Sequence, residues 1–215
     1  ELVVWLLLAL CVRKMELLSA KSTDFDFQRG LWKLQPNRTK TKSYIEIPLA
    51  PQVIVWLEEV IVFACGSEYL FPARRLVRIK NGLPRTNRFG HISPDTLNVA
   101  LKRLPLAGVD HFTVHDMRRT ARTQLGALGV DPFVAERALN HKLPGTQGIY
   151  DRHDYFPQRR QALHQWAELL GALSRGDSVN CPSKQAQDGV SRNDTLAHLP
   201  RRLPNALVAR MAANE

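Results

Sequence analysis

Between His111 and Tyr155 the chain reads HFTVHDMRRTARTQLGALGVDPFVAERALNHKLPGTQGIYDRHDY, and the side chains concentrated there suit work on phosphate. His115 and Arg118 lie three residues apart, so on a helix they share one face near its N-terminus, where the macrodipole also favours an anion. His141 and Tyr150 follow, nine residues apart. A guanidinium offers a planar fork of donors that matches phosphate oxygens, and histidine exchanges protons near neutral pH. A tyrosine hydroxyl becomes a nucleophile once a base accepts its proton. Tyr155, five residues beyond Tyr150, is the competing hydroxyl. His111 and His115 have the i,i+4 spacing of two zinc ligands, but no acidic residue lies between them and no third ligand lies nearby, so no metal is assigned.

These residues need elements to hold them. Met117, Ala121, Leu125 and Leu128 form one apolar stripe, with Gly129 as the C-terminal stop of that helix. Asp131 then caps, and Pro132 opens, a second helix, DPFVAERAL, ending near His141. Beyond the loop that carries the tyrosines, PQRRQALHQWAELLGALS reads as an amphipathic helix with Leu163, Trp166, Leu170 and Leu173 on its apolar side.

Upstream, ELVVWLLLALCV is too short to span a bilayer, which needs about twenty apolar residues, and it lacks the basic start and cleavage site of a signal peptide. It reads as a buried helix that continues through VRKMELLSA and places Arg13 and Glu16 on one face. So apolar a helix has little solvated surface for an arginine, which makes a carboxylate-held Arg13 a candidate anion clamp. The helix begins without a cap or an initiating Met, as expected of a chain whose N-terminus is truncated.

Short strands at Phe25–Phe27, Leu31–Gln35 and Tyr44–Pro48 follow by period-2 alternation, with a turn at Arg29-Gly30. PNRTKTKS forms a hairpin tip bearing Arg38, Lys40 and Lys42, either a solvated loop or a stiff arm that delivers a lysine into a groove. Pro51 opens a scaffold helix that buries Val53, Trp56, Leu57, Val60 and Ile61. GSEYLFPARRLVRIKNGLPRTNRFGHIS reads as a long basic surface connection, and SPDTLNVALKRL as a helix with Leu97, Ala100, Leu101 and Leu104 inward.

A chain of 215 residues accommodates one domain and an appendage. Its fold class is therefore α+β and mostly α-helical, with a small antiparallel sheet or hairpin. The boundaries are residues 1–175 for the domain that carries the candidate site residues and 176–215 for a flexible tail, polar and poor in aromatics. The formal charge of +10 favours a polyanionic partner, and since the tail holds five basic against four acidic residues, almost all of the excess sits in the domain. Cys11, Cys65 and Cys181 are too few and too scattered for a disulfide framework or zinc knuckle, consistent with a reducing compartment.

Arg13 in RKMEL, Lys40 in RTKTKSYIEIPL, His115 and Arg118 in HDMRRT, His141 in LNHK and Tyr150 in GIYDRHDY together resemble the motif set of the tyrosine recombinases, and within them the phage and genomic-island integrases. The resemblance covers residues 1–170, including EYLFPARR and ISPDTLNVALKRL, and the step from His141 to Tyr150 is similar to the family's spacing between its last histidine and its nucleophile. The segment CVRKMEL departs from the family in lacking a small Thr-Gly pair before the arginine.

The resemblance implies a helical catalytic domain of the DNA breaking–rejoining type. Tyr150 would attack a DNA phosphodiester, forming a 3′-phosphotyrosyl bond and releasing a 5′-hydroxyl, without metal, ATP or any cofactor. Arg13 and Arg118 would meet the charge that develops on phosphorus. Lys40, with Lys42 as its rival, would protonate the leaving oxygen. His115 would accept the proton of Tyr150, since a phenol of pKa near 10 is only about 0.1% ionised at neutral pH. His141 would hydrogen-bond a non-bridging oxygen, Glu16 would orient Arg13, and Tyr155 would be structural.

The implied partner is double-stranded DNA, with a homotetramer on paired sites during synapsis and accessory DNA-bending proteins. No membrane is involved, and the setting is the DNA-associated bacterial cytoplasm. Integrases of this kind also carry a core-binding domain upstream, so without one DNA affinity would be weak and salt-sensitive. Two other readings are a DNA-binding remnant whose chemistry has lapsed and a type IB topoisomerase-like activity. The expectation for the structure is geometric: the six side chains line one basic concavity, with Tyr150 free to move.

Overall fold

Six consecutive buried side chains, Trp5 to Leu10, make the first helix, α1 (Leu2–Leu10), apolar on every side, and the fold surrounds it accordingly. The computed structural model describes residues 2–73, 77–86, 90–103, 112–141 and 153–177. Around α1 pack α3 (Pro51–Phe63), α5 (Val114–Ala127) and α7 (Phe156–Ser174), while α6 (Pro132–Ala138) packs between α5 and α7. Each fully buried leucine of α1 contributes about 1.5–3 kcal/mol relative to exposure. The Nε1–H of Trp166 on α7 donates to the Leu8 carbonyl at 2.8 Å, so the open end of α1 is satisfied by the last described helix. No helix among the described residues is long and apolar enough to cross a membrane.

The expected continuation of this helix through VRKMELLSA, residues 12–20, is overturned. Cys11 takes a left-handed φ of +53°, Arg13 is extended, and a separate helix α2 (Lys14–Leu18) begins after it. A residue other than glycine in that conformation costs about 1–2 kcal/mol, so packing must enforce the break. Cys11 and Val12 are both buried in the core, and it is this burial that turns the chain.

Three strands, β1 (Phe25–Asp26), β2 (Leu31–Leu34) and β3 (Ile45–Pro48), form an antiparallel sheet in the order β1-β2-β3, with Trp32 paired to Ile47 and Leu34 to Ile45. Alternation reads these strands correctly to within two residues. Gly30, at φ +62°, closes the β1–β2 turn. The basic stretch after α3 is not merely a surface connection: it contains a second hairpin, β4 (Val77–Lys80) and β5 (Leu83–Thr86). Asn81 and Gly82, both at positive φ, make its two-residue turn, an Asn-Gly signal present in the sequence. Helix α4 (Pro94–Arg103) buries Leu97 and Leu101 but leaves Ala100 exposed.

Met117, Ala121 and Leu125 of α5 are buried as their spacing predicts, and Gly129 at φ +79° ends the helix. Asp131 caps α6, its carboxylate accepting from Phe133 N at 2.8 Å and from Val134 N at 3.3 Å. In α7, Leu163, Trp166 and Leu170 are buried, whereas Leu173 lies at the surface. The expected positions of His111, Leu104 and Cys181, and residues 178–215 of the tail, lie outside the described residues.

Candidate functional site

The site grows from the way α6 stops. Asn140 adopts φ +51°, its N–H donates to Arg137 O at 3.0 Å, and His141 N–H donates to Glu136 O at 3.0 Å. This is the Schellman termination, in which one left-handed residue folds the chain back over the last helical turn, and asparagine tolerates that conformation better than other non-glycine residues. The turn exposes two successive carbonyls, Leu139 O and Asn140 O, and sets the His141 side chain beside Glu136.

Both arginines close on those carbonyls. Arg118, projecting from α5, is 6% exposed and donates through Nη2 to Leu139 O and through Nη1 to Cys11 O, the carbonyl freed where α1 breaks. Arg13 donates through Nη2 to Asn140 O at 3.2 Å and through Nη1 to Glu16 Oε1 at 3.1 Å. Glu16 is almost fully buried, and its other oxygen accepts from Arg13 N at 2.8 Å. The Arg13–Glu16 clamp expected from spacing is therefore present, though it forms at the head of α2 rather than along a continuous helix.

Two guanidiniums this close oppose one another. Burial, and then the charge of Arg13, lower the pKa of Arg118 to about 10, which leaves it cationic at neutral pH. Cys11, beneath them, is pushed up to about 12 by burial despite Arg118, so it is a neutral thiol and no nucleophile.

His141 completes this cluster. Its Nδ1 lies 2.6 Å from Glu136 Oε2, and the Nε–H of Arg122, from α5, donates to Glu136 Oε1 at 2.7 Å. Burial raises the Glu136 pKa, but the hydrogen bonds from Arg122 and His141 prevail and hold it below the ordinary carboxylate value. The pKa of His141 is lowered by burial first, against the hydrogen bond it donates to Glu136, with Arg118 and Arg13 adding to the depression.

The hairpin tip between β2 and β3 reaches the same turn. Thr41 Oγ1 donates to Asn140 Oδ1 at 3.4 Å, so Lys40, its neighbour, sits in an exposed turn at the edge of the cluster. Of the three basic residues expected at the tip, Arg38 does not face solvent. It turns inward to Ser19 O at 3.0 Å and to the Asp24 carboxylate, anchoring the base of the arm. Lys42 takes φ +53° and is exposed, so Lys40 and Lys42 do not share the face of a regular strand as spacing alone suggests.

His115 is exposed on the first turn of α5, one turn before Arg118. That turn is fixed by Thr113 and Asp116, which exchange hydrogen bonds, with Asp116 Oδ2 accepting from Thr113 N at 2.9 Å and from its hydroxyl at 2.7 Å. Those bonds draw the Asp116 pKa down. Tyr150 lies outside the described residues. Tyr155 caps α7 at φ +52°, half-buried against the core and edge-on to His153 with centroids 4.7 Å apart.

Chain re-entry after the tyrosine segment is held by Arg159, 1% exposed, which donates to Asp154 O at 2.8 Å, Asp154 Oδ2 at 2.6 Å and Glu46 O at 3.0 Å. Neither Arg159 nor the Arg122–Glu136 pair is apparent from the sequence. Glu136 could have been found: an asparagine just before His141 signals the turn that folds His141 over a residue five positions back. Arg122 and Arg159 gave no such signal, because their partners are fixed by packing between helices.

The amino-acid sequence of residues 1–156 matches the model of the phage integrase family. The prophage integrase IntA of Escherichia coli strain K12 is 33% identical over 179 residues, covering 83% of this chain and 40% of that protein. The integrase of Enterobacteria phage P4 is 25% identical over 174 residues, covering 74% of this chain and 37% of that protein. This chain thus spans about two-fifths of the length of these curated relatives. Among solved structures, the integrase from mycobacterium phage Brujita superposes with a TM-score of 0.54 at 18% identity, over 76% of this chain and 50% of that one, a likeness of fold. With the family match covering most of the chain, this protein belongs to the phage integrase family.

Proposed function

We propose that this chain is the catalytic part of a site-specific DNA recombinase, an integrase that cuts and rejoins DNA through a 3′-phosphotyrosyl intermediate and so integrates or excises a mobile element. The observation that supports it most is the convergence of Arg13, Arg118 and His141 on the turn that ends α6, with the Lys40 tip docked against Asn140. Fixed cations around one point are what an oxyanion-stabilising site needs, because their orientation is settled before charge develops.

In this reading Arg13 and Arg118 hold the non-bridging oxygens and His141 adds a third donor. Tyr150 is the nucleophile, His115 takes its proton and Lys40 protonates the departing 5′-oxygen. Lys40 lies on the exposed tip docked against Asn140, beside the cradle proposed to hold the phosphate. The partner is double-stranded DNA, engaged on paired sites by a tetramer of this chain with accessory DNA-bending proteins, in the bacterial cytoplasm. Residues 1–175 act as the catalytic domain and the remainder as a tail.

A duplex nicked close to the cleavage site tests this, because the released fragment diffuses away and traps the covalent protein–DNA adduct. The wild-type chain is expected to form the adduct, and Tyr150→Phe to bind the duplex without forming it. An adduct that survives in Tyr150→Phe and disappears in Tyr155→Phe reassigns the nucleophile. DNA binding with no adduct at all leaves only a binding module, and relaxation of supercoiled DNA without paired sites marks a topoisomerase.

A further inference from the structure

The ring of His141 is gripped at Nδ1 by a carboxylate, and that grip decides what Nε2 can do. Glu136 is held in its ionised form by Arg122 and His141, so it only accepts, and the proton of the 2.6 Å contact belongs to Nδ1. A neutral ring protonated at Nδ1 bears a lone pair at Nε2, which a phosphate oxygen repels. For His141 to donate to phosphate while bonded to Glu136, both nitrogens must carry protons.

We propose that Glu136 is a positioning residue that holds His141 as an imidazolium when a DNA phosphate occupies the site, so that Nε2–H becomes a charged donor to a non-bridging oxygen. The proposal rests on the recombinase reading and assigns to Glu136 a part in it. Three features favour it. Arg122 binds the second oxygen of Glu136, which prevents the carboxylate from turning away. The backbone N–H of His141 donates to Glu136 O at 3.0 Å, fixing the ring over its partner. Among the described residues, the charged groups that face His141 are Glu136 from α6, Arg118 from α5 and Arg13 from the head of α2, so among them Glu136 supplies the negative charge against two cations.

Without phosphate, burial and the two arginines keep the ring neutral at physiological pH. A phosphodiester monoanion of DNA settling between the arginines offsets part of their charge, and the ring takes up a proton from solvent as DNA binds. Nothing else is consumed or released: one proton moves from bulk water to Nε2, and it returns when the phosphate leaves.

The experiment has two arms. In the first, ¹⁵N-labelled histidine is observed by NMR in the full-length Tyr150→Phe chain bound to an intact duplex at neutral pH. Both His141 nitrogens should be protonated, and Glu136→Gln introduced beside Tyr150→Phe should leave one; a singly protonated ring with Glu136 intact overturns the proposal. In the second, adduct formation on the nicked duplex is followed across pH. Glu136→Gln should move the alkaline limb to lower pH by about one unit or more, so its deficit grows as pH rises. In a His141→Gln background Glu136→Gln should add no pH-dependent loss. A deficit equal at every pH indicates a purely structural role and overturns the proposal. If the wild-type chain forms no adduct, it is the recombinase reading that fails; if it forms adduct and Glu136→Gln matches it at every pH, the inference alone fails. The first measurement of the first arm keeps Glu136 in place, so a singly protonated ring there overturns the proposal even where Glu136→Gln does not fold.

Discussion

Two halves of the proposed site are built on opposite principles. Arg118, Arg13 and His141 are tied to backbone carbonyls and to the carboxylates of Glu16 and Glu136, so their directions are dictated by where α1 breaks and α6 ends. Lys40 and His115 are exposed and, among the described residues, their side chains form no hydrogen bond or ion pair. The division follows the chemistry. Charge stabilisation depends on donors fixed in advance, because donors that must reorient add that reorganisation energy to the barrier. Proton transfer needs reach and a suitable pKa, and its partners can be brought into line by the DNA itself.

Arg118→Ala tests the fixed half and carries the largest expected effect. Loss of an oxyanion donor lowers cleavage by about a thousandfold. It also strands the carbonyls of Cys11 and Leu139, at about 1–3 kcal/mol each where water cannot replace the lost donor. Adduct formation and the urea midpoint should fall together. Arg118→Lys restores charge but not the fork that spans the two carbonyls, so it should recover stability only in part. Full stability in Arg118→Ala would mean that the cradle is not part of the core.

Lys40→Ala tests the other half by separating the same two readouts. As general acid its loss lowers cleavage by about a hundredfold or more, while the urea midpoint stays within about 0.5 kcal/mol of wild type because the residue is exposed. A duplex with a 5′-thiol leaving group, which departs without an acid, should restore the rate in Lys40→Ala and not in Arg118→Ala. Restoration of Lys42→Ala instead would transfer the role to Lys42.

The same division explains what could be read from the sequence. Helices α3 to α7 were legible because apolar periodicity, Pro at first turns, Asp131 and Gly129 are local signals. The break at Cys11 was not, since nothing in LLLALCVRKMELL marks a stop. It is enforced by burial of Cys11 and Val12 and by the arginine that takes up the Cys11 carbonyl, a contact 107 residues away in sequence. Chemistry-bearing types at motif spacing led to Arg13, Arg118 and His141. The groups that aim them, Glu136, Arg122 and the main-chain carbonyls of Cys11, Leu139 and Asn140, meet them only through packing of elements on one another, apart from the Asn140 turn signal. Arg38 shows the converse error: three basic residues at a tip look alike in sequence, yet one is an anchor.

Asn140 joins the halves, which makes its variants a finer instrument. Asn140→Ala keeps the chain at positive φ with a less tolerant residue, costing about 1 kcal/mol or slightly more, and it removes the acceptor of Thr41. Asn140→Gly relieves the backbone but also removes that acceptor. Stability should therefore fall in Ala and stay near wild type in Gly, whereas cleavage should drop severalfold in both if tip docking assists Lys40. Equal cleavage in Gly and wild type would show that the lysine is placed by DNA alone.

The smallest effect concerns the protein without DNA, and its sign follows from two depressed groups. His141 has a folded pKa below its ordinary value of 6.5, and Glu136 one below 4.5. In each case the unfolded chain binds more protons in the interval between the two values, so stability rises with pH across it. The His141 contribution is complete above about 6.5 and is lost as pH falls through its folded value, and the Glu136 contribution behaves likewise below 4.5. Both side chains are about a third exposed, so solvent screening keeps the change small. The melting temperature should fall slightly from pH 7 to pH 5, and His141→Gln should flatten that part of the curve while Lys40→Ala leaves it as in wild type. On a duplex the ordering reverses, because a phosphate between the arginines favours the protonated ring and affinity then strengthens as pH falls. Identical slopes for free and bound protein would separate His141 from the phosphate and place it with the structural residues of the fixed half.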